Sequence, residues 1–189
     1  MIAQKNNSNN PKNIVIFDTN IFLLGVDFNL IGSLIFSTPE VIKEVQDKRY
    51  LNKNRNISNR IQAAIESKKL IIQNPSEKYF LLIEKYSKDT GDYNALSPTD
   101  KGLIALSLEL KETFNQNLIL YTNDFSMQNL CSELNITFLP LIREGIKSRI
   151  IWEVYCPFCK EIKNAEEFGG ECEKCGTKLK RKRKSEIRL

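Results

Sequence analysis

Apolar residues along this chain come in two rhythms. Short, nearly unbroken runs alternate with longer stretches of helical spacing. The runs are "IVIFD" at residues 14–18, "LIF" at 34–36, "LII" at 70–72, "NLILYT" ending at Thr122, and "ITFL" before Pro140. Uninterrupted apolar runs of this length suit strands buried on both faces. Between them, Val41, Ile42 and Val45 form a stripe on a helix opened by Pro39, leaving Glu44 beside it. "NRNISNRIQAAIESKK" reads as a second helix with Ser58 as candidate cap, and "SEKYFLLIEKYSK" as a third. "LSPTDKGLIALSLELKET" is a fourth, with Ser97 at the N-cap, Pro98 at N1 and Asp100 at N3. "NDFSMQNLCSEL" is a fifth. Strict alternation of strand and helix predicts an α/β doubly wound parallel sheet flanked by helices over residues 13–150.

In such sheets ligands bind beyond the carboxyl ends of the strands. Asp18 ends the first run, and Asp124 follows "LILYT" at the same edge. Glu44 and Asp100 lie on helices able to face it. Four carboxylates converging there would repel one another strongly unless cations accompany them. Mg²⁺ or Mn²⁺, held by oxygen, suits such a set and would support phosphodiester hydrolysis. Each acid also has a plainer reading. Asp18 and Asp124 can cap helices, Asp100 can complement a helix dipole, and Glu44 can lie on a solvated face. Asn20, Thr122, Asn123 and Ser126 are supporting candidates that could orient ligands or waters, with turn and capping roles equally open.

Composition narrows the chemistry. The 189 residues are 41% hydrophobic and 27% charged, as expected of a globular chain with one full core and a small appendage. Histidine is absent, which removes Ser-His and Cys-His catalysis and His-ligated zinc. No window holds the apolar run a membrane helix needs. The polar "MIAQKNNSNNPK" at residues 1–12 reads as a flexible leader without a secretory signal, so a cytoplasmic location is expected.

Four of the five cysteines, Cys156, Cys159, Cys172 and Cys175, form two C-x2-C pairs separated by twelve residues. That spacing suits a closed structural Zn²⁺ site in a ribbon over residues 151–177. Cys131 reads as an inert core thiol. Residues 178–189 carry seven Lys or Arg against one Glu, a net charge of +6, while the whole chain is +5. The rest therefore sums to −1. The basic end, with Lys178, Lys180, Arg181, Lys182, Arg183 and Lys184, reads as a tail for nucleic acid or a solubilising end. Near the ribbon, Trp152 and Tyr155 are candidates for base stacking, while Phe158 and Phe168 are expected in its small core.

Against these residues a resemblance stands out. "FDTNIFL", "TPEVIKEV", "LSPTDKGLIALSLEL" and "LYTNDFSMQN" resemble the four acidic motifs of PIN-domain ribonucleases. The longer string "TGDYNALSPTD", with "MQN" and the four-cysteine ribbon, resembles the Nob-type ribosome-assembly endonucleases in a short, archaeal-like form. The resemblance covers residues 13 to about 180. It implies a single-strand endoribonuclease that matures the 3′ end of small-subunit ribosomal RNA. Asp18, Glu44, Asp100 and Asp124 would form its metal site, and the ribbon would help hold RNA. The implied partners are the ribosomal RNA precursor, the pre-small-subunit particle and assembly-factor proteins, with no membrane. Its rivals are a toxin-like PIN ribonuclease, a non-catalytic zinc-ribbon scaffold for RNA, and a transcription-factor-like ribbon.

Overall fold

A computed structural model describes residues 13–47, 56–114, 117–142 and 144–189. The leader at 1–12 and the expected first residues of the second helix, 54–55, lie outside these. Five parallel strands form the main sheet: β1 (Ile14–Phe17), β2 (Leu34–Ser37), β3 (Leu70–Ile72), β4 (Leu118–Tyr121) and β5 (Phe138–Leu139), in the order β3-β2-β1-β4-β5. All four residues of β1 are buried. This central strand is covered on both faces, which is why its sequence does not alternate.

Helices connect the strands. They are α1 (Thr19–Leu23), α2 (Pro39–Val45), α3 (Ile57–Glu66), α4 (Glu77–Thr90), α5 (Pro98–Phe114) and α6 (Phe125–Glu133). Ser97 and Asp100, expected at the N-cap and N3, bond each other reciprocally as a capping box. The Ser97 N–H donates to Asp100 Oδ2 at 2.8 Å, and the Asp100 N–H donates to Ser97 Oγ at 3.1 Å. Residues 101–108 of α5 are all buried, so the middle of this helix has no solvent face and forms the axis of the core. The cap of α3 differs from expectation. Asn56 holds the N-cap position without a side-chain capping bond, and Ser58 lies inside the helix.

The chain then builds a second sheet. Strand β6 (Ser148–Tyr155) pairs antiparallel with β7 (Ile162–Lys163) on one side and β8 (Lys180–Arg188) on the other. The basic end is therefore no tail. Lys180–Arg188 is a full strand, in register with β6 from Tyr155↔Lys180 to Ser148↔Arg188, with one bulge. Sequence reasoning missed it because seven cations among twelve residues hide strand periodicity, and β6 supplies the pairing from some thirty residues away. Val154, Cys156, Cys172 and Leu179 form a small core, with Phe168 packed against it. Phe158, expected there too, is 75% exposed.

Candidate active site

The chain visits β1, β2 and β3 on one side, then crosses to β4 on the other side of β1. The carboxyl ends of β1 and β4 thus flank the topological switch point, where an open α/β sheet leaves a crevice. Phe17 pairs with Tyr121, so the next residues, Asp18 and Thr122, meet at the rim. Thr122 Oγ1 donates to Asp18 Oδ2 at 3.0 Å and accepts the Asp124 N–H at 3.1 Å. A single buried hydroxyl thus fixes two acids from distant parts of the chain.

Capping and site geometry coincide rather than compete. Asp18 is the N-cap of α1 and accepts the Thr19 N–H at 2.6 Å. Asp124 is the N-cap of α6, its Oδ1 accepting the N–H groups of Ser126 and Met127 at 2.7 and 2.9 Å. Thr19 Oγ1 donates to Glu44 Oε2 at 2.7 Å, which turns the α2 carboxylate toward the end of β1. Asp124 Oδ2, Glu44 Oε1 and Asp100 Oδ1 accept no hydrogen bond among the described residues.

The four acids feel one another. Burial, then the charge of Asp100 and to a lesser degree Asp124, push the Asp18 carboxyl up to about 6, against the opposing hydrogen bonds from Thr122 and Thr19. Asp100 is raised too, first by burial and then by Asp124 and Glu44, against its bonds to Ser97. Among the described residues no Lys or Arg pairs with any of the four. Even Lys101, next in sequence to Asp100, places Nζ over the Tyr93 ring, 3.5 Å from its centroid. The rim is cation-poor, oxygen-rich and partly desolvated, and its uncommitted carboxylate oxygens are donors of the hard kind that divalent cations take. Among the described residues the cysteines, and not these acids, bring three or more ligand atoms within 4.8 Å of one another.

The supporting residues divide. Asn20 and Asn123 line a cleft of about 360 Å³ beside Asp124, with Leu23, Leu24 and Ile142. Asn123 Oδ1 accepts the N–H groups of Leu141 and Ile142 at 3.0 and 3.2 Å, a turn role, while its amide nitrogen is buried without a partner among the described residues. Ser126 contributes its backbone N–H to Asp124 and lines a different, smaller hollow.

The cysteines form a separate centre. Their four Sγ atoms all lie within 4.8 Å of one another, with Cys156 and Cys175 at 3.4 Å and Cys159 and Cys172 at 3.6 Å. A tetrahedron of Zn–S bonds near 2.3 Å has edges of roughly 3.8 Å, so the quartet fits that ion and leaves no open position. The two knuckles repeat one design. Cys156 N–H bonds the Glu161 carbonyl and Cys172 N–H the Thr177 carbonyl, both at 2.9 Å. The residues after each second cysteine, Lys160 and Gly176, both take left-handed conformations, at φ 63° and 67°. Cys131 is buried in the main core, where loss of solvation raises its thiol far above the usual range.

Residues that sequence reasoning left without a role join the two bodies. Asp92 is fully buried. Its Oδ1 accepts from Arg181 of β8 at 2.9 Å, and its Oδ2 accepts from Asn129 of α6 at 2.6 Å. Asn129 also pairs its amide with the backbone of Ile150 in β6, at 2.7 and 2.8 Å. Gln128 bonds the Thr122 carbonyl at 3.0 Å and receives the Ile146 N–H at 3.0 Å. Gly91 ends α4 at φ +74°, and a Cβ there would stand 2.5 Å from the Trp152 carbonyl oxygen. The strings "TGDY" and "MQN" were legible as unusual, but nothing along the chain showed that they face each other. Arg181 is therefore committed inward, its guanidinium also lying over Trp152 at 4.5 Å and Phe168 at 5.3 Å. Lys182 pairs with Glu153 at 3.2 Å, and Arg183 pairs with Glu186. Of the six basic candidates, Lys178, Lys180 and Lys184 have no ion-pair partner among the described residues.

A parallel sheet with acids gathered at its β1–β4 switch point is the architecture of a PIN nuclease. Residues 15–110 match the family described as the PIN domain of ribonuclease, and the chain belongs to that family. It is similar to Endoribonuclease Nob1 of Methanocaldococcus jannaschii, 34% identical over 147 residues, covering 78% of this chain and 66% of that protein. It is similar also to Endoribonuclease Nob1 of Pyrococcus abyssi, 28% identical over 166 residues, covering 88% of this chain and 91% of that one. Ribonuclease VapC1 of Thermoplasma acidophilum is 36% identical over 123 residues, 62% of this chain and 58% of that protein. The chain thus spans just under two thirds of the Methanocaldococcus protein and nearly all of the Pyrococcus one.

Proposed function

We propose that this protein is a divalent-metal-dependent single-strand endoribonuclease of the Nob type, acting in the cytoplasm on the precursor of small-subunit ribosomal RNA within the assembling particle, and maturing its 3′ end. The observation that carries the reading is Thr122 holding Asp18 and Asp124 together at a rim where, among the described residues, no Lys or Arg pairs with them. Asp18, Asp100 and Asp124 would hold Mg²⁺ or Mn²⁺, with Glu44 as a ligand or water-orienting group. When bound, such an ion supplies a water that ionises near neutral pH and a counter-charge for phosphate oxygens. The chain's own part is positioning. Thr122 and the Thr19 N–H fix Asp18, Thr19 Oγ1 aims Glu44, and the first turn of α6 holds Asp124 by one oxygen and leaves the other outward. Zn²⁺ in the cysteine quartet would be structural.

The similarity to Ribonuclease VapC1 favours a second reading, a toxin-like PIN ribonuclease with a different RNA target. Against it stands the alignment with the Pyrococcus protein. At 166 residues it is longer than a PIN domain at 13–150 and so reaches into the ribbon. The decisive experiment is incubation with a precursor RNA spanning the small-subunit 3′ end. One new end should form with Mn²⁺, vanish with EDTA, and return on adding Mn²⁺ alone. No cleavage under any of these conditions would leave a scaffold, and scattered cleavage of unrelated RNAs would favour the second reading.

The ordered basic strand changes how RNA affinity should be tested, since deleting residues 178–189 would remove part of a sheet. Replacing Lys178, Lys180 and Lys184 by Ala keeps β8 intact. If each contacts a phosphate, the log–log salt slope for single-stranded RNA should fall by roughly 2, about 0.7 per contact. Filter binding from low to moderate salt reads this directly, and an unchanged slope would remove these lysines from the RNA path.

A further inference from the structure

A second hollow, of about 80 Å³, lies between the start of α6 and strands β6 and β8. Phe125 and Ser126 form its α6 wall, immediately after the catalytic candidate Asp124. Phe125 is 51% exposed, an aromatic ring kept in water at the first position of a helix whose next turns are buried. The Ser126 hydroxyl has no protein hydrogen bond among the described residues. The remaining wall mixes apolar Ile146, Ile150 and Trp152 with polar groups that are already engaged: Asp92 and Asn129 are buried and bonded to each other, and Arg181 is paired to Asp92 and covered by Trp152.

The geometry points to this hollow as a subsite for one nucleobase of the single-stranded RNA, adjacent to the position being cut, stacked on Phe125 with its edge toward Ser126. This deepens the nuclease reading and rests on it for the identity of the strand. Three features select a base over other occupants. The volume is far below the 300–1,000 Å³ typical of sites for drug-sized molecules, so it admits one ring system at most. The buried Asp92 carboxylate cancels the Arg181 charge and would repel a phosphate, which disfavours an anion there. A half-exposed aromatic beside fixed polar groups is the composition with which proteins hold unpaired bases without demanding a sequence. The strand's phosphates would pass outside, toward Lys180 and Lys184 on the exposed part of β8. The 360 Å³ cleft is lined by Asp124 itself and the smaller hollow by the next two residues, Phe125 and Ser126, so both lie close to the acids.

Trp152 lines this hollow and is the sole tryptophan of the chain, so its fluorescence reports occupancy. The test uses the full chain, a short unstructured RNA and buffer without added Mg²⁺ or Mn²⁺, so that binding is read without cleavage. Wild type should show saturable quenching that an oligomer of abasic ribose-phosphates does not produce. Phe125→Ala should weaken RNA binding by about fivefold or more and reduce the quenching, and Phe125→Tyr should restore both. Circular dichroism controls for folding, which an exposed position should tolerate. Equal quenching by the abasic oligomer, or unchanged affinity in Phe125→Ala, would overturn the subsite. Cleavage of the precursor with Mn²⁺ is scored separately. A chain that cuts but shows no base-dependent quenching lacks the subsite, and one that quenches but never cuts keeps the subsite and loses the nuclease assignment.

Discussion

Asp18→Asn should make the protein more stable and nearly inactive at once. In the absence of a cation the folded state holds the Asp18 carboxyl up to about 6, against an ordinary value of 3.8. A raised folded value means the native state binds the proton more tightly than the unfolded chain. The stability this provides is present below about pH 4 and is lost as pH rises through about 6, a change of about 3 kcal/mol over that window. Asn cannot ionise, so it escapes this loss. It can still accept the Thr19 N–H, while the Thr122 hydroxyl must turn from donor to acceptor, which offsets part of the gain. At pH 7.5 without divalent ions the variant should be more stable by about 1–3 kcal/mol, melting roughly 3–10 °C above wild type. Near pH 4 the difference should vanish. Mn²⁺ at one hundred times its dissociation constant should close this gap, because an ion bound only by the folded wild type adds about 2.7 kcal/mol there. Cleavage should fall by about 100-fold or more while RNA affinity changes little if Asp18 serves the reacting phosphate as proposed. Thermal melts across pH, with and without Mn²⁺, together with single-turnover cleavage, make the check. A variant that melts below wild type at pH 7.5 and cuts at the wild-type rate would dismantle the site.

Arg181→Ala should be among the most damaging single changes outside the main core. It leaves Asp92, which has no solvent exposure, with the Asn129 amide and the Thr90 hydroxyl as polar side-chain contacts and no cation. Burial already raises the Asp92 carboxyl, and Arg181 is one of the groups that holds it down. Removing one member of a buried pair typically costs 3–5 kcal/mol. The Arg181 side chain is 23% exposed, so about 2–4 kcal/mol is the expected loss, including its stacking on Trp152. Asp92→Asn alone should cost less, because the guanidinium that remains can reach water. In the double variant the losses should not add, with a coupling of at least about 1 kcal/mol by urea unfolding. Strict additivity would mean that the pair does not join the ribbon to the PIN body. Lys88–Glu166, Arg149–Glu133 and the bonds from Asn94 to Glu166 and Phe168 span the same junction at its surface, where each contributes little alone.

Both predictions use groups whose importance was unequally visible. Asp18, Asp100 and Asp124 could be picked out because each ends a strand or opens a helix in an alternating α/β pattern, and the rule for such sheets says where those ends gather; Glu44 stood out only as the acid beside the apolar stripe of α2. The quartet of cysteines was legible from spacing alone, since two C-x2-C pairs satisfy a local geometric demand. The Ser97–Asp100 capping box was equally local. Asp92, Gln128 and Asn129 were not legible as a junction. Each is a common polar residue, and only the packing of α6 against β6 makes their burial and bonding apparent. Arg181 looked like one cation among many in a basic run, and its stack over Trp152 separates it from its neighbours.

By itself, then, the amino-acid order determined the alternation of strands and helices, the edge at which the acids lie, and the thiol cluster, because these follow from periodicity and spacing within short stretches. Tertiary structure alone decided that the basic end is a strand and that a buried ion pair ties it to the nuclease body. It also decided that one threonine hydroxyl holds two acids together. The physical reason is common to all three. Burial and pairing are properties of contacts between segments far apart along the chain, and a charged residue reads the same in sequence whether it faces water or a partner.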